Sequence, residues 1–271
     1  MKKLACLFVT CCMERSRFDI LNLVVPNLLQ QAPELATHLT VFDNASTVPG
    51  TIDLLKANFK NVYRCDRNVG YWTAIDWWLT SLQVDPPEYT YIIESDMVHW
   101  AFQKTYDCVR FLDRHPEVGA VRLQEFSVEN RHLYNKDAPR PDSRRSIWQA
   151  GSNRVTGKRL TFDESDDAGI YFSNFLTQLP ALNRYTTMVD VFRALAAMER
   201  FSESDFQRMY HERYPLNAIL DGGTHNSDPG GWQSKTVTGS WSSEAELRSI
   251  GYQSTRYSSI GDPSTYSVTL T

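Results

Sequence analysis

Along the first hundred residues, short unbroken apolar runs alternate with longer stretches whose apolar positions recur every three to four residues. Leu4–Thr10 is an apolar run of strand length, and 38–42 is a second that ends at Asp43-Asn44-Ala45-Ser46. A third run, 62–65, is short, and a fourth, 89–93, ends at Glu94-Ser95-Asp96. Between them, 19–31 carries Ile20, Leu21, Leu23, Val24, Val25, Leu28 and Leu29 at helical spacing, interrupted by Pro26. Stretches 52–59 and 72–82 also read as helices, the latter with Ile75, Trp78, Leu79 and Leu82 on one side. The period separates the two kinds of element, since a buried strand is apolar throughout and a surface helix is apolar on one stripe. Strands separated by helices predict an α/β protein with a mostly parallel sheet covered by helices.

Beyond residue 100 the pattern loosens. Residues 104–115 read as a helix, 118–123 as a strand, and 187–198 and 204–214 as helices. Residues 140–159 are loop-like and basic, with Arg140, Arg144, Arg145, Arg154, Lys158 and Arg159 against one acid, Asp142. Residues 163–167 are acidic. From Gly222 onward Gly, Ser and Thr dominate, and this tail is expected to be irregular and packed near the functional site. No internal repeat or interdomain linker is visible.

Hydrophobic residues make up 42% of the 271, so a packed core is expected rather than disorder. The net charge of −4 argues against a surface that grips nucleic acid everywhere, while leaving room for a local basic patch. The five cysteines are odd in number and lack zinc-finger spacing, which predicts free thiols in a reducing, cytoplasmic setting. Met1-Lys2-Lys3 ahead of an apolar run has the outline of a signal peptide. No small-residue cleavage site follows, and the run falls short of the roughly 20 apolar residues that span a bilayer. It is read as a first strand, and no transmembrane segment is expected.

Polar residues sit where each predicted strand ends: Thr10, Asp43, Asn68 in the loop after the third strand, and Asp96. Ligands of open parallel sheets bind beyond the carboxyl ends of the strands. Three segments then carry a resemblance: Val41-Phe42-Asp43-Asn44-Ala45-Ser46-Thr47, Asn68-Val69-Gly70-Tyr71-Trp72 and Tyr91-Ile92-Ile93-Glu94-Ser95-Asp96. In order and spacing the chain resembles family 2 glycosyltransferases of the GT-A fold.

The resemblance implies a catalytic domain over 1–221. Its first half, 1–100, would bind the nucleotide sugar, 101–221 would face the acceptor, and 222–271 would follow as a separate segment. It also implies roles. Asp43 would accept hydrogen bonds from the nucleotide base, usually uracil, with Asn44 supporting the turn. Asn68 and Gly70 would lie beside the ribose and diphosphate, and Thr10 and Ser95 would complete the donor site. Asp96 and Glu94 take the place of the family's Asp-x-Asp motif and would hold Mn²⁺ or Mg²⁺, with Glu in the first position. A cation bridging the diphosphate neutralises the charge that builds as the glycosidic bond breaks. Such ions take oxygen ligands and need few carboxylates.

His225, in a Gly-rich stretch, is either a further metal ligand or a surface-loop histidine. Direct displacement at the sugar needs a base for the acceptor hydroxyl. Glu203 falls at that position and Asp205 is the alternative, although Ser202 and Asp205 also form a capping-box pattern that merely starts a helix. The basic run with Trp148 is either a solvated loop or a grip on phosphates or an anionic acceptor. The function expected is transfer of a sugar from a nucleotide-diphosphate donor, UDP-linked in most such enzymes, to an acceptor hydroxyl with inversion. The acceptor would be a glycan, a lipid-linked saccharide or a hydroxymethylated DNA base. A sugar nucleotidyltransferase is disfavoured because the segment Thr10-Cys11-Cys12-Met13-Glu14-Arg15 lacks glycine. A non-catalytic carbohydrate-binding relative is the remaining alternative.

Overall fold

Strand β1 (Leu4–Thr10) is buried from Ala5 to Thr10. It pairs in parallel with β2 (Thr40–Asp43) on one side and β4 (Tyr89–Glu94) on the other, and β2 pairs in parallel with β3 (Asn61–Cys65). The connections are helices α1 (Arg15–Gln31), α2 (Thr51–Asn58) and α3 (Tyr71–Ser81). Helices cover both faces, so β1, β2 and β4 are buried along most of their length and their sequences need not alternate, whereas β3 keeps Asn61, Tyr63 and Arg64 partly exposed. The computed structural model describes residues 3–33, 39–95, 97–99, 104–124, 162–164, 170–173, 181–226 and 258–271.

The chain continues through β5 (Met97–His99), α4 (Thr105–Arg114), β6 (Val118–Gln124), β7 (Phe162–Glu164), β8 (Ile170–Ser173), β9 (Leu182–Arg184), α5 (Tyr185–Ala196), α6 (Glu203–Arg213), β10 (Leu216–Asn226) and β11 (Val268–Leu270). Among the described residues one sheet runs in the order β11-β3-β2-β1-β4-β9-β6-β10-β8-β7, with β5 on β10. The N-terminal half is parallel as expected. Antiparallel pairs enter where β9 inserts between β4 and β6.

Two cores lie on opposite faces of this sheet. One joins Phe8, Val41 and Tyr91 to Leu21 and Val24 of α1, Leu55 of α2 and Phe111 of α4. The other joins Leu7, Phe42 and Ile92 to Trp78 of α3, Phe192 of α5 and Phe206 and Tyr210 of α6. The side chain of Arg184 ties β9 to the end of α4, donating to the carbonyls of Leu112, His115 and Val118 at 2.8–3.0 Å. All five cysteines are free thiols, four of them buried.

Strands β5, β7, β8 and β9 have no counterpart in the sequence pattern, and the structure departs from it in three further places. Helix α1 starts at Arg15, a turn before the apolar stripe, where Arg15 and Asp19 form an i,i+4 ion pair. The stretch from Gly222 is not wholly irregular: β10 runs through Gly222 and Gly223, and the boundary expected after residue 221 falls inside it. The residues on either side, 217–220 and 224–226, pair with β8, β6 and β5, and the two glycines lie in the irregular stretch between them. Finally, β11 closes the sheet edge beside β3, with Asp66 N donating to Ser267 O at 3.1 Å and Thr271 N to Val62 O at 2.9 Å. The basic run 140–159, with Trp148, lies outside the described residues, as do 227–257. No described helix is long and apolar enough to cross a membrane.

Candidate active site

The carboxyl ends of β3, β2, β1 and β4 form one rim. In register, Thr10 pairs with Asp43, Asp43 with Arg64, and Val9 with Glu94. The strand ends flagged by the sequence therefore lie side by side.

Asp43 is fully buried. Its Oδ1 accepts from Ser46 N at 3.2 Å, while Oδ2 has no hydrogen-bond partner among the described residues and stands 3.6 Å from Arg64 Nε. Burial raises its pKa above the usual carboxylate value, opposed by the Ser46 hydrogen bonds and the Arg64 charge. A buried carboxylate oxygen without a partner is costly and marks a place where a ligand donor fits.

The loop after β2 is fastened to the loop after β3 by an amide pair. Asn44 Nδ2 donates to Asn68 Oδ1 at 2.9 Å, and Asn44 Oδ1 accepts from Val69 N at 2.9 Å. Asn68 Oδ1 also accepts from Gly70 N at 2.9 Å. Gly70 precedes α3 at φ 85° and ψ 162°, a combination essentially confined to glycine. Both asparagines thus serve the loop's shape, leaving backbone and the Asp43 carboxylate to meet a ligand. Cys11, which the sequence pattern did not single out, completes this wall. Its Sγ donates to Asn44 O at 3.2 Å and accepts from Asn68 Nδ2 at 3.5 Å. Burial pushes the thiol up to about 12, so it stays protonated. Thr10 points inward, its Oγ1 3.6 Å from Cys12 Sγ, and its carbonyl accepts from Asn44 N at 2.8 Å.

Glu94 ends β4 and Ser95 occupies the turn behind it, both partly buried. Asp96 lies outside the described residues. His225 is on β10, its backbone paired with Val98, and Asn226 with Met97, so β10 runs beside the strand that follows Asp96. Among the described residues no cluster of three metal-ligating side chains forms.

Glu203 and Asp205 begin α6 and have different fates. Ser202 accepts from Asp205 N, and the Asp205 carboxylate accepts from Ser202 N at 2.8 Å, completing the capping box. These bonds, with the Arg208 ion pair at 3.0 Å, hold the Asp205 carboxyl below its ordinary value, which makes it a weak base. Glu203 keeps contact with water, yet burial raises its pKa, with Arg122 pulling the other way.

Arg122, on β6, was not foreseen. It is 8% exposed, and burial brings its pKa down to about 10 against the opposing charges of Glu203 and Glu94. Nothing in its local sequence, Ala-Val-Arg-Leu, distinguishes it from an outward-facing strand residue.

Neither protein-family models nor curated proteins match the sequence. Solved structures do match. S. aureus TarS 1–349 in complex with UDP-GlcNAc is 15% identical at a TM-score of 0.52, over 85% of this chain and 60% of that one. The same piece without ligand gives 15% identity and a TM-score of 0.51, over 84% and 61%. Its complex with UDP gives 13% and 0.50, over 82% and 60%. The chain thus spans about three fifths of the length of these neighbours. The likeness establishes the fold. It is a GT-A type α/β sheet flanked by helices.

Proposed function

We propose that this protein is a glycosyltransferase that moves a sugar from a nucleotide-diphosphate donor, UDP-linked, to an acceptor hydroxyl with inversion. The observation that carries the reading is Asp43, a fully buried carboxylate at the rim where four strands end, with one oxygen that faces Arg64 at 3.6 Å but accepts no hydrogen bond among the described residues. An imide N–H of uracil supplies the donor that this oxygen lacks. TarS, which shares the fold, has been solved with UDP and with UDP-GlcNAc, and this supports the donor class.

Beside this pocket the loop of Asn68 and Gly70, fixed by the Asn44 amide, offers backbone to the ribose and diphosphate. Glu94, Asp96 and His225 would hold Mn²⁺ or Mg²⁺. The carboxylate oxygens suit a hard cation, and an imidazole nitrogen is acceptable to Mn²⁺. Bound there, the ion would offset charge on the leaving diphosphate. Glu203 takes the acceptor proton. The freed oxygen attacks the anomeric carbon, the bond from that carbon to the diphosphate oxygen breaks, and UDP leaves. A carboxylate whose basicity is raised above its ordinary value suits this work better than Asp205, already committed to its helix.

The test is a hydrolysis and transfer screen of UDP-, GDP- and dTDP-sugars with Mn²⁺, with and without chelator. Release of UDP from a UDP-sugar, suppressed by chelator and by Asp96→Asn in a folded protein, is the expected result. Release of pyrophosphate from a nucleoside triphosphate would move the protein to sugar activation. Calorimetric binding of free sugar without any nucleotide binding would make it a carbohydrate-binding relative.

A further inference from the structure

Strand β6 holds one residue more than its parallel partner β10 between the pairs Val118–Leu216 and Val121–Ala218. Such a bulge changes which face the following side chains take. Val118 and Val121 both pack in the core under α1, α2 and α4, whereas Ala120 packs in the opposite core with α3, α5 and α6. Gly119 faces α6 as well: a Cβ there would lie 2.4 Å from Tyr214 Cβ and 2.9 Å from Tyr210 Cε1. Two successive residues of β6 thus face α6. Alternation from Val121 then returns Arg122 to the same side. Without the extra residue, Arg122 would face the other core.

The close approach at Gly119 brings α6 flush against β6, where Tyr210 OH donates to Gly119 O at 2.8 Å. The helix seated by this contact runs back from Tyr210 to Glu203 in its first turn, on the side of β6 that carries Arg122. Electrostatically, the guanidinium acts on Glu203 from one element and on Glu94, at the end of β4, from another. Among the described residues Arg122 is the charged group from a packed element that acts on Glu203. On its own helix Glu203 meets the Gln207 amide at 3.5 Å, and the Asp205 carboxylate is turned toward Ser202 and Arg208.

We propose that Arg122 is a positioning residue of the transfer centre: turned toward α6 by the extra residue in β6, it shares its charge between Glu94 and Glu203 and holds the Glu203 carboxylate ionised and aimed at the acceptor. This rests on the reading of Glu203 as the base. A buried guanidinium suits the task because it cannot lose its charge at neutral pH and its planar fork fixes the carboxylates it faces.

The experiment uses the full chain with glutamate labelled at Cδ with ¹³C, the Glu203 resonance being assigned by its loss in Glu203→Gln. In Arg122→Met the Glu203 midpoint rises by about one pH unit, as removal of a nearby opposite charge requires. In Arg122→Lys it stays close to that of the unchanged protein. The acid limb of the pH–rate profile moves with it. A midpoint in Arg122→Met equal to that of the unchanged protein overturns the proposal. Should Arg122→Met not fold, the ¹⁵Nε signal of Arg122 is compared between the unchanged protein and Glu203→Gln. A shifted signal with faster side-chain exchange is expected, and an unchanged one overturns the pairing. UDP calorimetry on the same samples separates the two readings. Absence of binding removes the donor site, whereas binding with an unmoved Glu203 midpoint overturns the role of Arg122 alone.

Discussion

At the scale of single residues, burial assigns different work to chemically similar groups. Asp43 and Asp205 are both aspartates at the edge of an element. One is enclosed, with an oxygen that accepts no hydrogen bond among the described residues, and the other is spent on a helix start. Asp43→Asn keeps an oxygen for Ser46 N but replaces the charge that faces the ligand. The loss of a charge-assisted hydrogen bond is worth about 1.5–3 kcal/mol, so UDP affinity should fall roughly 10- to 100-fold by calorimetry with the fold intact by circular dichroism. The sign of the stability effect is opposite. Since burial raises the folded-state pKa of Asp43, its contribution is most favourable below the unfolded value and is lost as pH rises through the folded one. Asp43→Asn should therefore flatten the decline of stability across that window in urea titrations.

At the scale of elements, two glycines let backbones approach or turn as no other residue would: Gly70 turns the chain into α3, and Gly119 admits a neighbouring helix. Gly119 lets α6 lie on β6, and the atoms a methyl would strike are Tyr214 Cβ and Cγ, which cannot swing aside. Gly119→Ala should destabilise the protein by about 1–3 kcal/mol, the usual cost of overpacking, seen as a lower urea midpoint at unchanged slope. Because the same contact seats α6, which begins at Glu203, against β6, transfer activity should fall further than stability alone explains. The element pattern was largely legible in advance. Runs such as Leu4–Thr10 and the stripe Ile75, Trp78, Leu79 report local periodicity, which a buried strand or one-sided helix must show. The start of α1 and the length of β10 were not legible, since polar i,i+4 pairing sets one and hydrogen bonds to distant strands set the other.

For the whole molecule, the terminal segment decides how the sheet ends. Residues 258–271 bridge to Phe201, anchor to Thr73 through Gly261 N at 2.9 Å, and cap the free edge of β3 with β11. An exposed edge strand invites pairing between molecules. Removing 258–271 should lower the melting temperature, by ~2–4 °C for each kcal/mol lost, and increase light scattering at temperatures where the full chain stays clear. Unchanged melting and scattering would show that β3 needs no cover.

The sequence by itself determined the order of strands and helices over its first 95 residues and the polar residues at those strand ends, because both follow from local periodicity and from where a parallel strand must stop. Tertiary structure alone decided which of those groups is buried with an oxygen that accepts no hydrogen bond among the described residues, and that Arg122 faces α6; the capping role of Asp205 was already written in its local pattern. Those outcomes turn on desolvation and on one extra residue in a strand, and both depend on neighbours that lie far away along the chain.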